Sequence, residues 1–158
     1  MGQTPLQREL NKATPFESLE QETFLSLYRT SGMLAGDFQV LFKTKGLSFS
    51  TYNVLRIVAG AGDEGRPSQS ISEDMVVRVP DVTRLVDRLQ KQGFVERKRC
   101  DRDRRVIFVR ITEQGRELLD DLRGPVDKLH IGQLAHMTET ELRELTRLLA
   151  RARKADEE

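Results

Sequence analysis

Apolar residues at Leu19, Leu27, Leu34, Phe38, Leu41 and Phe42 lie at spacings built from three- and four-residue steps, the stripe of a helix. The pattern predicts a helix that runs to about Lys45 and stops at Gly46. Two starts compete for it. Thr14-Pro15-Phe16-Glu17 is a Thr-x-x-Glu capping box with proline at the first helical position, and Ser18-Leu19-Glu20-Gln21 offers a second start one turn later. Such a helix is long for a small globular protein, so part of its stripe is expected to pack against another chain. Gly32 and Gly36 either weaken it locally or let a neighbouring backbone come close.

Leu47-Ser48 opens a second helix with Tyr52, Val54, Leu55 and Val58 apolar, ending in the turn-rich run from Gly60 to Pro67. A short third helix is expected over Ser68 to Val77, burying Ile71 and Met75, and another from Pro80 to Gln92 with Gly93 as its stop. Phe94 to Arg99 and Val106 to Thr112 are rich in Val, Ile and Phe and predict two strands joined by a turn over Cys100 to Arg105. Thr112 can cap a fifth helix through Leu118, Leu119, Leu122, Val126 and Leu129, bent near Gly124-Pro125. Thr138-Glu139-Thr140-Glu141 is a further capping box, starting a last helix with Leu142, Leu145, Leu148 and Leu149 inside. The order helix, short helix, turn, helix, hairpin is that of a winged helix-turn-helix. The fold class expected is therefore mostly α with a small β-hairpin.

Composition narrows the function. With 37% hydrophobic and 32% charged residues, the chain reads as soluble with much solvated helix surface. A single cysteine makes no internal disulfide. The first residues hold no apolar leader, and no run of about 18 apolar residues could span a bilayer, so a cytoplasmic protein is expected. No Gly-rich phosphate loop, Cys/His cluster or nucleophile elbow points to an enzyme, and no cofactor is implied.

Charge distribution changes the picture most. The chain carries a formal +1, yet residues 78–110 hold eleven Lys/Arg against five Asp/Glu, a net of +6, while the remainder nets −5. A basic segment in an acidic body is the electrostatic footprint of a polyanion-binding element. On the helix Pro80–Gln92, at about 100° per residue, Val82, Leu85, Val86 and Leu89 face one side. Pro80, Thr83, Arg84, Asp87, Arg88 and Lys91 fall on or beside the other. Guanidinium and hydroxyl groups on that face suit the major groove, with Thr83 and Lys91 placed to hold phosphates. The hairpin tip would reach the flanking minor groove, where Arg105, its guanidinium steadied by Asp103, fits the narrow electronegative slot.

The stretch VTRLVDRLQKQGFVERKRCDRDRRVIFVRITEQG, Val82 to Gly115, resembles the MarR family of bacterial winged-helix regulators. It shares a recognition helix of that form, a Gly before an apolar pair, a wing with Asp-x-Arg, and a closing strand ending in Ile-Thr-x-x-Gly. The resemblance extends over about residues 16–154. It implies a homodimer whose N- and C-terminal helices interlock, bound to a palindromic site on double-stranded DNA, with Thr83, Arg84, Arg88, Asp103, Arg104 and Arg105 contacting or positioning the duplex. Arg78 in the preceding turn and Arg102 at the wing tip complete the expected DNA-binding set. The resemblance also implies a crevice between the dimer helices and the winged domain for a small phenolic or aromatic carboxylate effector. The organisation expected is a disordered arm over 1–15, a helical dimerisation region over 16–46 and 113–154, and the winged helix-turn-helix over 47–112. Where the family has Gly-Val-Ser before the recognition helix, this chain has Val76-Val77-Arg78, then Val79-Pro80-Asp81. Arg78 cannot cap, and Asp81 is expected to supply a first-turn anion instead.

The expected function is a ligand-responsive transcriptional repressor, not an enzyme. One alternative is a winged helix used for protein contacts. Another is a redox-sensing regulator, since Cys100 sits among Lys98, Arg99 and Arg102, cations that favour a thiolate. His130 and His136, six apart around a break at Gly132, lack metal-ligand spacing and suit an interface or surface role.

Overall fold

Each α-helix in the computed structural model, which describes residues 2–100 and 103–154, begins at a side chain that accepts a backbone N–H of its first turn. Thr4 caps α1 (Pro5–Glu9), Ser18 caps α2 (Leu19–Thr44) and Ser48 caps α3 (Phe49–Gly60). Asp81 caps α4 (Val82–Lys91), Thr112 caps α5 (Glu113–Leu134) and Thr138 caps α6 (Glu139–Ala152). Those oxygens satisfy donors that a helix start leaves without partners. In α6 the box is reciprocal: the Thr138 backbone and hydroxyl both donate to Glu141, holding its carboxyl below the usual carboxylate range. The second of the two starts weighed for α2 is the one used.

The fold is mostly helical with one small antiparallel sheet, ordered β1-β3-β2. The hairpin pairs β2 (Val95–Arg99) with β3 (Ile107–Ile111), in the register Val95↔Ile111 through Arg99↔Ile107. A third strand, β1 (Arg66–Pro67), adds to the other side of β3, pairing Arg66 with Val109. At two residues, it is too short to show alternation in the sequence. Gly65, at φ 79°, permits this pairing, because a Cβ there would collide with the Val109 carbonyl oxygen.

One core joins these elements. Phe42 of α2, Val54, Leu55 and Val58 of α3, Val86 and Leu89 of α4, Val95 and Val109 of the hairpin and Leu122 of α5 are fully buried. Phe42 stacks on Tyr52 at 4.3 Å between ring centroids, and Phe38 meets His130 of α5 at 4.7 Å. His130 therefore has an aromatic partner within its own chain.

Four expectations need correction. The segment 1–15 is not without structure: a capping box between Thr4 and Gln7 forms α1 and buries Leu6, while Gln7 donates to the Thr14 carbonyl and Glu9 pairs with Arg29 of α2. Residues 68–77 form successive turns rather than a helix. Ser68 N–H is spent on the Ile107 carbonyl, and the bonds that follow, Ser70 to Pro67, Glu73 to Ser70 and Asp74 to Ile71, all step by three. A run holding three serines, a glutamate and an aspartate competes with the helical ladder through its own side chains. Its anchors hold as expected, with Ile71 and Met75 buried. Next, α5 continues as one element past Pro125 and through Gly132 to Leu134, so Gly132 is no break. Lastly, α4 begins at Val82, two residues after Pro80, with Asp81 as its cap rather than an anion inside the first turn.

The Thr-x-x-Gly at the end of the wing has a local purpose. The Thr112 hydroxyl donates to the Gly93 carbonyl at 2.6 Å and accepts from Gly115 N–H at 3.1 Å. Gly115 rides directly on the Phe94 carbonyl, where a side chain would collide. Gly115→Ala is accordingly expected to cost about 1–3 kcal/mol of stability by overpacking. Gly60→Ala, at an open helical position, should be neutral or slightly stabilising. Denaturant unfolding of the two variants at matched protein concentration checks this.

Candidate nucleic-acid interface

Proline sets where the recognition-type helix can begin. Pro80 biases Val79 away from helical backbone, and Asp81 is the first side chain beyond it able to accept a first-turn N–H. It does so from Arg84 N at 3.1 Å, and its second oxygen meets the Arg84 guanidinium at 2.9 Å. Val86 and Leu89 are then buried, with Val82 and Leu85 half-buried beside them. Thr83, Arg84, Arg88 and Lys91 are left in solvent. The split that the helical period assigns to this segment is the observed one.

Salt bridges and hydrogen bonds sort the basic side chains into two groups. The first is tied into the fold. Arg97 of β2 meets Asp87 at 2.6 Å and donates to Gln90 at 2.7 Å, which clamps the wing against α4. Arg88 donates to the Gly46 carbonyl at 3.0 Å, where Gln92 also donates, fastening α4 to the end of α2. Arg110 donates to the Glu64 carbonyl at the base of the sheet. These three set the position of the interface as well as contributing charge.

The second group points into solvent. Arg78, Lys91, Lys98, Arg99, Arg104 and Arg105 are exposed, and no side-chain partner holds them among the described residues. The Arg84 side chain is 86% exposed despite its bond to Asp81. Thr83 stands exposed in the first turn of α4, and Pro80 is exposed just before it. Arg102 lies outside the described residues. The wing tip is closed by backbone bonds from Cys100 N to Val106 O and from Val106 N to Asp103 O. Asp103 differs from expectation: its carboxylate accepts from the Arg105 backbone N–H at 2.9 Å and does not grip the guanidinium. It shapes the turn, as short acidic side chains commonly do, and leaves the Arg105 head free. Cys100 is half-buried at the end of β2.

Two sets of residues escaped the sequence reading. The Arg97–Asp87 clamp joins a strand to a helix ten residues away, which neither period reveals. Val76 and Val77 stand 74% and 61% exposed in the turn before α4, with Val76 N–H held by Asn53 Oδ1 at 2.9 Å. Val76, where the family has Gly, was the available signal, while Val77 keeps the family's Val.

Residues 38–122, more than half of the chain, match the family described as transcriptional regulator SarA/Rot. Among solved structures, a MarR transcription factor from Planctomyces limnophilus is 39% identical, with a TM-score of 0.66 over 85% of this chain and 98% of that one. CouR from Rhodococcus jostii, bound to p-coumaroyl-CoA, is 27% identical with a TM-score of 0.72 over 85% of this chain and 94% of that one. The HTH-type transcriptional regulator MhqR of Bacillus subtilis is 35% identical over 77 residues, 49% of this chain. That match spans only 52%, about half, of MhqR's own length.

If Asp81 is the cap described, Asp81→Ala should lower stability by about 0.5–2 kcal/mol, and Asp81→Ser should recover most of the loss. Urea midpoints for the three proteins provide the check.

Proposed function

This chain belongs to the MarR family of winged-helix, DNA-binding transcriptional regulators, and from that premise we propose that it is a homodimeric repressor of a palindromic operator, released by a small effector. One observation carries the DNA part. The cations nearest the body are spent on protein partners, whereas those on the outer face of α4 and along the wing are held out to solvent. Side chains as long as Arg104 and Arg105 have no structural reason to gather there against their mutual repulsion. A duplex resolves that repulsion, with α4 in the major groove and the wing beside the backbone. In this reading Thr83, Arg84 and Lys91 meet the major groove and its phosphates, Arg88 seats α4 through Gly46 and adds charge beside them, Arg78 and Pro80 face the near wall, and Arg104 and Arg105 the flanking minor groove. Asp103 presents Arg105. Arg102 is assigned to the same tip on sequence grounds alone.

Uncovered apolar surface at the two ends of the chain supports the dimer. Leu19, Phe24 and Tyr28 of α2 are 75%, 64% and 73% exposed. Ile131 of α5 and Leu145 and Leu148 of α6 are exposed as well, and α6 buries no residue within its own chain. Leucine faces on helices remote from the wing suit a second copy, which would set two α4 helices about one duplex turn apart. The alternative of a winged helix used for protein contacts has no comparable observation behind it.

For the effector, a cleft of about 330 Å³ between α3 and α5 is lined by Arg56, Ala59, Gly60, Arg116, Leu119, Asp120 and Arg123. Arg116 is paired with Asp63 and Arg123 with Asp120, while Arg56 has no side-chain partner among the described residues, and on that one cation an aromatic carboxylate is the effector class proposed. CouR's bound p-coumaroyl-CoA is an aromatic acyl thioester, aromatic like the proposed class but without its free carboxylate.

Selection of bound fragments from random DNA is expected to return a palindrome. Against that duplex, Arg105→Ala should weaken binding by about 1–3 kcal/mol at fixed salt. An unchanged isotherm would remove Arg105 from the interface, and recovery of no preferred sequence would sink the regulator reading for this chain. Phe24→Glu with Leu145→Glu should shift the protein to monomer in sedimentation and abolish palindrome binding together. Operator affinity indifferent to a panel of aromatic carboxylates would eliminate the effector class.

A further inference from the structure

Val76 and Val77, 74% and 61% exposed in the turn before α4, are absorbed by neither the core nor the proposed dimer. Turn chemistry does not explain them, because tight turns draw on Gly, Asn, Asp, Ser and Pro, and β-branched side chains are stiff there. Packing does not explain them either, since Met75 on one side is buried and Val79 on the other half-buried while these two stand in water. Their placement is nonetheless built. Asn53 of α3 accepts the Val76 N–H at 2.9 Å, which fixes the backbone of the turn against the helix beneath it.

From this placement we infer that Val76 and Val77 are specificity-determining residues that read the C5-methyl groups of thymines in the major groove. The inference rests on the proposed docking of α4 and goes beyond it by naming the base feature read. A thymine methyl is the only apolar group a base pair presents in that groove, and small aliphatic side chains are suited to it. Charge selects DNA over a protein partner. Arg78 follows the pair directly, with Arg84 and Lys91 exposed on the helix that comes next. An apolar protein surface laid on the valines would have to desolvate the neighbouring arginines. A duplex offers phosphates to those arginines and methyl groups to the valines at once. The pair also stands where family members carry Gly-Val-Ser, so a readout built on Val76 would be particular to this chain.

The test uses the full-length protein and the preferred duplex recovered by selection. Each thymine of the bound half-site is replaced in turn by deoxyuracil, which removes the methyl and leaves every hydrogen-bonding group. Losing one methyl contact is expected to weaken binding about fourfold per half-site, the equivalent of about 0.8 kcal/mol. One or two positions should respond in this way. The double variant Val76→Ala, Val77→Ala should bind the thymine duplex more weakly by a similar factor and become indifferent to deoxyuracil at those positions. Wild-type binding that ignores deoxyuracil everywhere would overturn the inference while leaving the DNA reading intact. So would a variant that keeps full deoxyuracil sensitivity, or one whose weaker binding accompanies a changed oligomeric state in light scattering. If no duplex is bound above bulk DNA, the docking itself is wrong and the inference falls with it.

Discussion

A single hydroxyl, that of Thr112, holds together the three parts whose relative placement matters most. It donates to the carbonyl of Gly93, just beyond the end of α4, and accepts from Gly115 in the first turn of α5. The helix carrying the outer cationic face, the hairpin and the long helix leading away therefore share one junction. Gly115 on the Phe94 carbonyl allows no slack there.

Electrostatics then works on a fixed frame. The basic segment is not a uniform cationic patch, because its members have divided labour. Arg97 bonded to Asp87 and Gln90, Arg88 on Gly46 and Arg110 on Glu64 act as fasteners. Each replaces some water contacts with protein ones and gives up part of its freedom to meet a ligand. The exposed set keeps that freedom and loses little on docking beyond side-chain entropy. A surface ion pair such as Arg97–Asp87 contributes little to stability, and Arg88 and Arg110 bond backbone carbonyls near the surface, so the fasteners matter chiefly for geometry.

Much of this could be read directly from the sequence. The helical period separated Val86 and Leu89 from Thr83, Arg84 and Lys91, because on a helix the burial of one face determines the other. Capping signals at Ser48, Thr112 and Thr138 located three helix starts, since each is a local bond between residues three apart, whereas at α2 two such signals competed and the structure uses Ser18 rather than Thr14. What stayed hidden was non-local. The strand Arg66–Pro67 exists only because β3 offers it an edge, and residues 68–77 follow it as turns whose backbone bonds step by three. The N-terminal α1 carries a local signal, the Thr4-Pro5-Leu6-Gln7 capping box, and only its docking, by Gln7 on Thr14 and Glu9 on Arg29, lies outside a local window. At the interface, the orientation of Asp103 depended on a competition between a backbone donor and a guanidinium. Nearby pairing along the chain could not settle which donor would win.

The two margins of the sheet carry a last implication. One is a two-residue strand containing Pro67, which cannot donate there, and the other is β2, which carries Arg97, Lys98 and Arg99 in succession. Neither margin can readily recruit a foreign strand, since proline removes the hydrogen bond and crowded like charges repel a copy of themselves. The projecting ribbon can thus stay extended in a crowded solution without seeding ordered aggregates.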